Sequence, residues 1–204
     1  MKRICIYYFL LSSFTLFGQV VYDTETNDHY GNRIYCAGVK TDVFEYSKAI
    51  QETDCWCWAA CVQMVLHYQG MYVEQSDLVK KAFGVVRNDG GTGWDIVRAS
   101  NGWYKDGKRI VSRMGGKSQF NLIDDLAYRY PVIVGLNMPR QTVGHAYVLT
   151  AVFYYYDAYQ RKVPTEVVLR DPSPYGQSRT VLKWNDFYNR VNCIVHVYPQ
   201  KMNE

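Results

Sequence analysis

Between Cys57 and Tyr68 the apolar residues fall at Cys57, Ala60, Cys61, Met64, Val65 and Tyr68. This i, i+3, i+4, i+7, i+8, i+11 spacing is the stripe of an amphipathic helix, and Gly70 lies where such a helix stops. A second helix is expected over Glu74 to Phe83, with further ones over Trp94 to Ser100 and Ser118 to Tyr130. The run Asn88 to Gly93 is a loop by composition. Beyond Tyr130 the pattern changes to strands and turns. Pro131 to Leu136 has the form of a buried strand, and His145 to Tyr155 is a long β-rich segment. Glu166 to Leu169, Arg179 to Leu182 and Cys193 to Tyr198 follow, with turn residues at Asp171 to Gly176. Helices first and antiparallel-type strands second predict an α+β fold.

A chain of 204 residues that is 48% hydrophobic and 16% aromatic buries a real core, and its 21% charged residues are too few for intrinsic disorder. The net charge of +4 includes Lys2 and Arg3. So slight an excess argues against a nucleic-acid partner, which needs a dense basic face. Met1-Lys2-Arg3, the apolar run Ile4 to Phe17 and the small Gly18 before Gln19 have the layout of a secretory signal. The apolar run is about fourteen residues, short for a span of ~30 Å of hydrocarbon. The expected organisation is therefore a signal peptide over 1–18, a lead-in segment over 19–50 and one domain over 51–204. The product would be secreted or periplasmic and monomeric, with no stable membrane anchor.

Export bears on the thiols. Removal of Cys5 with the signal leaves Cys36, Cys55, Cys57, Cys61 and Cys193, an odd number in an oxidising compartment. Cys57 stands apart because it opens the helix. There the helix dipole and free backbone N–H groups favour a thiolate, and Asp54 is placed to cap the helix. Such a nucleophile needs an imidazole partner and donors for an oxyanion. Cys36, Cys55, Cys61 and Cys193 are then open to structural roles, with three possible pairings. Cys55, Cys57, Cys61 and His67 cluster, but their spacing is not that of a zinc knuckle. Asn88 to Gly93 lacks the lysine and hydroxyl of a phosphate loop and is read as a flexible loop beside a cleft. No metal or cofactor is called for.

Gln51, six residues before the pair Cys57-Trp58 that opens a helix, resembles the papain-like cysteine peptidases. The continuation Ala59-Ala60-Cys61 departs from the plant and lysosomal enzymes. It is more similar to the compact bacterial branches, the AvrRpt2-type and C39-like peptidases. The resemblance implies a papain-like α+β fold, a central helix packed on an antiparallel sheet or half-barrel. It implies Cys57 as nucleophile, Gln51 as oxyanion donor and Trp58 as the aromatic residue behind the nucleophile. The order cysteine, histidine, aspartate is completed by His145, behind Gly144 at the start of a strand, and by Asp171 of Leu169-Arg170-Asp171-Pro172. Asp-Pro is also a common turn opener.

These readings converge on a thiol hydrolase acting on a polypeptide substrate through a thioester. Two alternatives share the pattern. An amidase or acyltransferase uses the same triad, and a catalytically silent secreted interaction module would keep only the fold.

Overall fold

The computed structural model describes residues 26–27, 33–139 and 144–201. In chain order the elements are β1 (Thr26–Asn27), β2 (Arg33–Gly38), α1 (Thr41–Glu45), α2 (Cys57–Tyr68), α3 (Gln75–Phe83) and α4 (Gly93–Ser100). Then come β3 (Tyr104–Lys105), β4 (Lys108–Met114), α5 (Gln119–Ala127), β5 (Val132–Leu136) and β6 (His145–Tyr156). The chain closes with β7 (Lys162–Arg170), β8 (Arg179–Lys183), α6 (Trp184–Arg190) and β9 (Val191–Lys201). The expected α+β class is the observed one. The strands form one antiparallel sheet in the order β1-β2-β6-β5-β9-β4-β3, with β7 on β6 and β8 on β7.

Strand β6 organises the sheet. Its first half pairs with β5, from Leu136↔His145 to Val132↔Leu149. Its second half pairs with β2, from Gly38↔Ala151 to Tyr35↔Tyr154. From Val148 to Tyr156 it also pairs with β7. Successive side chains of a strand point to opposite faces, and both faces are covered here. On one side α2 packs with Ile133, Ala146, Val148, Val195 and Val197. On the other, Leu122, Ile123 and Leu126 of α5 and Phe187 of α6 pack with Val132, Val134, Tyr147, Leu149 and Ile194. Two-sided burial explains why these strands read as unbroken apolar runs rather than alternating ones. It also explains α2, which is buried continuously from Trp58 to Leu66.

The signal expected over 1–18 lies outside the described residues. The lead-in expected over 19–50 does not stand apart from the domain: from Arg33 onward it supplies β2 and α1. Ala37 and Phe44 are buried in the two cores, and Arg170 at the end of β7 pairs with Glu45 at 3.3 Å. Cys55, Cys61 and Cys193 carry free thiols, so the odd cysteine count is not resolved by two disulfides. Among the described residues no helix is long and apolar enough to cross a membrane.

Candidate active site

Cys57 is the first residue of α2, where backbone N–H groups have no acceptor within the helix. The N-cap is Trp56, with no side-chain cap bond. Asp54, expected to cap the helix, instead offers its backbone carbonyl to Gln51. What fixes the helix start is indole chemistry. Trp56 Nε1 donates to the Arg87 carbonyl at 2.8 Å, and Trp58 Nε1 to the Asp89 carbonyl at 3.1 Å. Asn88 Oδ1 accepts from Thr53 Oγ1 at 2.6 Å and from the Cys55 N–H at 3.2 Å. The loop read from composition is thus tied to the segment before the nucleophile.

His145 opens β6, and its ring interacts electrostatically with the Cys57 sulfur. The His145 Nε2–H donates to Asp171 Oδ1 at 2.8 Å, which leaves Nδ1 for the thiol. Asp171 also accepts the Ser173 N–H at 2.8 Å. The carboxylate therefore both closes its own turn and holds the imidazole, so the two readings of Asp-Pro were not exclusive. The edge of the Tyr147 ring rests on His145 at 4.7 Å between centroids. Gly144 lies where a Cβ would come within 3.1 Å of the Leu136 carbonyl, which permits the chain to enter β6.

Electrostatics follow from this geometry. Burial pushes the Cys57 thiol up, but the His145 hydrogen bond and charge and the N–H groups of Ala146 and Trp58 outweigh it and hold the thiol below 9.0. Burial works against the His145 imidazolium, yet hydrogen bonds to Asp171 and Cys57, with their charges, raise it to about 9. Opposite shifts in a contacting pair favour a thiolate beside an imidazolium at neutral pH. Cys61, buried one turn later, is raised well above 9.0 by burial and by the Cys57 and Asp171 charges. Burial raises Cys193 as well.

The site opens into a cleft of 850 Å³ lined by Asp54, Trp58, the Gly90–Gly93 loop, Met138, Tyr147 and Asn192, among others. A concavity of similar size between β2 and the β6–β7 turn has neither thiol nor imidazole among the described residues of its lining. Three of the four residues expected from sequence, Cys57, His145 and Asp171, meet in one cleft, with His145 hydrogen-bonded to Asp171 and coupled to Cys57. Gln51 lies beside them, its N–H donating to the Pro172 carbonyl at 2.9 Å. Its side chain does not face the cleft. Nε2 donates to the carbonyls of Thr53 at 2.9 Å and Asp54 at 3.1 Å, and Oε1 is buried without a partner among the described residues.

The model of the Peptidase_C39 like family matches residues 42–197. The chain belongs to that family. This C39-like chain is accordingly a cysteine peptidase on a papain-like fold. Among solved structures it is similar to the peptidase domain of Streptococcus ComA, a bi-functional ABC transporter, with a TM-score of 0.51 and 19% identity. The match covers 76% of this chain and 97% of that one. A double glycine motif protease from an AMS/PCAT transporter, solved with its leader peptide, matches at a TM-score of 0.45 and 15% identity, covering 75% and 89%. No curated protein sequence matches significantly.

Sequence reasoning missed several residues that shape this C39-like cleft. Asn88 and Asn192 carry no local signal. Gly91 is explained only in three dimensions, since a Cβ there would meet the Trp58 ring at 2.6 Å. His196 lies on the opposite strand face from Val195 and Val197 and is buried, hydrogen-bonded through Nδ1 to Asp125, which also accepts from Tyr198. A Cβ at Gly115 would lie 2.1 Å from the other ring nitrogen. That leaves no room for a substrate, so the pair fastens α5 to β9.

Proposed function

We propose that this chain is an exported cysteine endopeptidase using Cys57, His145 and Asp171 as its triad. The Cys57 thiolate attacks the scissile carbonyl, forming the carbon–sulfur bond while the carbonyl electrons move to oxygen. The Cys57 N–H and the Gln51 side chain hold that oxyanion. His145 gives its proton to the leaving amine, and the tetrahedral species collapses to a thioester. The imidazole, now neutral, takes a proton from water, which attacks the thioester and frees Cys57. Asp171 holds the ring and stabilises its cation. For Gln51 to act, Nε2 must exchange one of its two backbone carbonyls for the oxyanion.

The observation that carries this reading is the Cys57–His145–Asp171 constellation, with its 2.8 Å His145–Asp171 hydrogen bond, lowered thiol and raised imidazole. Family membership supports a polypeptide substrate. Among the described residues the cleft lining contains Asp54 and no lysine or arginine, which favours neutral or basic side chains near the scissile bond. The basic and apolar layout of residues 1–18 supports export.

The test uses residues 19–204. A neutral haloacetamide should label Cys57 rapidly at pH 7, slowly in His145→Ala, and a peptide library should be cleaved by the wild type but not by Cys57→Ala. Labelling indifferent to His145 would sink the triad. Rapid labelling without library cleavage would turn the reading toward an amidase or acyltransferase.

A further inference from the structure

Gln75 is the first residue of α3 and is 1% exposed, although it neither caps the helix nor touches the triad. Its side chain spends its hydrogen bonds on the two peptide groups that flank Gln51. Nε2 donates to the Ile50 carbonyl at 2.8 Å, and Oε1 accepts the Glu52 N–H at 3.1 Å. The second Nε2 hydrogen goes to Gln63 Oε1 at 2.9 Å. Gln63, buried on α2, donates in turn to the Val73 carbonyl at 3.0 Å. Two buried amides thus bridge the nucleophile helix, α3 and the strand of chain that carries Gln51. A third tie comes from Pro172, next to Asp171, which accepts the Gln51 N–H.

A buried glutamine pair with its donors satisfied is costly to break and rigid while intact. Here the rigidity is delivered to one place. The backbone of Gln51 is held before, at and after its Cα, so its side chain is left as the only part that turns. Oxyanion donors work only when held to within a fraction of an ångström of the developing charge. We propose that Gln75 is a positioning residue for the oxyanion site, acting through Gln51. This rests on the oxyanion role of Gln51 proposed above and adds what holds that residue in place.

The test compares two reagents on residues 19–204. A peptide aldehyde adds to Cys57 and generates an oxyanion, whereas a haloacetamide loses halide to the same sulfur and generates none. In Gln75→Met, aldehyde affinity and kcat should fall roughly 10-fold or more, with KM within about twofold. The rate of alkylation of Cys57 and its pH profile should stay unchanged. Gln75→Glu, which keeps the acceptor for Glu52 but loses the donor to Ile50, serves as a second variant should Gln75→Met fail to fold. Gln51→Ala should show the same selective loss, and adding Gln75→Met to it should cost nothing more. Aldehyde affinity retained in folded Gln75 variants while Gln51→Ala loses it overturns the role of Gln75 alone. Retention in Gln51→Ala overturns the oxyanion reading itself. Equal losses for aldehyde and haloacetamide would mark Gln75 as a general packing residue and also overturn the inference.

Discussion

Replacing Asp171 should move the alkaline limit of activity, and the structure sets the direction and scale. His145 is raised from 6.5 to about 9 against the opposing effect of its burial. At ~1.4 kcal/mol for each tenfold change in proton affinity, this is about 3 kcal/mol in favour of the imidazolium. Asp171 contributes a hydrogen bond at 2.8 Å and a negative charge. Asp171→Ala removes both and keeps the burial, leaving the Cys57 thiolate to support the imidazolium. Because the raised imidazole keeps its proton until about pH 9, wild-type kcat/KM on a neutral peptide should hold to that point and fall above it. In Asp171→Ala the fall should begin markedly lower, towards pH 6.5. At pH 7 the loss of ring orientation should cost about 100-fold as well. Asp171→Asn keeps an oxygen for His145 and for the Ser173 N–H, so its limit should lie between the two. These limits belong to the coupled Cys57–His145 pair. An alkaline limit still at about 9 in Asp171→Ala would refute the role assigned to the carboxylate.

Four further outcomes are expected. Limited alkylation at pH 7 followed by mass spectrometry should find Cys57 modified well before Cys61 and Cys193, whose thiols burial holds in the neutral form. Gly91→Ala puts a Cβ 2.6 Å from the Trp58 ring. Such overpacking should cost about 1–3 kcal/mol, read as a Tm lowered by several degrees with reduced kcat/KM. A chain starting at Gln51 should fail to fold by circular dichroism, because it lacks β2 and Phe44, whereas one starting at Gln19 should fold. Asp54→Lys should lower kcat/KM for peptides with a basic residue beside the scissile bond and raise it for acidic ones, with no change in Cys57 alkylation.

The parts of the fold that were legible have local periods. Helix α2 was expected over Cys57 to Tyr68 and is found there, because its apolar residues repeat along three turns, although the helix is buried all round from Trp58 to Leu66 rather than along one stripe. Strands β5 and β6 stood out as apolar runs because both their faces are covered. Strand β4 was missed: Lys-Arg-Ile-Val-Ser-Arg-Met pairs with β9 near the sheet edge and buries only Ile110 and Ser112. Helix α6 was missed for a related reason, since Phe187 is its single buried residue and one residue makes no period. Helix α1 was missed for the same reason, since Phe44 is its single buried residue.

The same distinction separates the legible and illegible parts of the site. Cys57, His145 and Asp171 are placed by backbone: one begins a helix, one begins a strand and one follows a strand. Where an element begins is written in a few consecutive residues, so all three were visible in sequence and they meet in space. The direction of the Gln51 amide is decided otherwise. It depends on the Thr53 and Asp54 carbonyls, on Pro172 some 120 residues later, and on Gln75 and Gln63 from two helices. No window of sequence contains that set. A glutamine at the right distance before a nucleophilic cysteine fixes where an oxyanion donor could stand. Whether it points there is a property of the hydrogen bonds around it, and they turn the amide toward Thr53 and Asp54. The oxyanion role proposed for Gln51 therefore requires Nε2 to give up one of these two carbonyls, while the backbone that carries the side chain stays tied to Gln75 and Pro172.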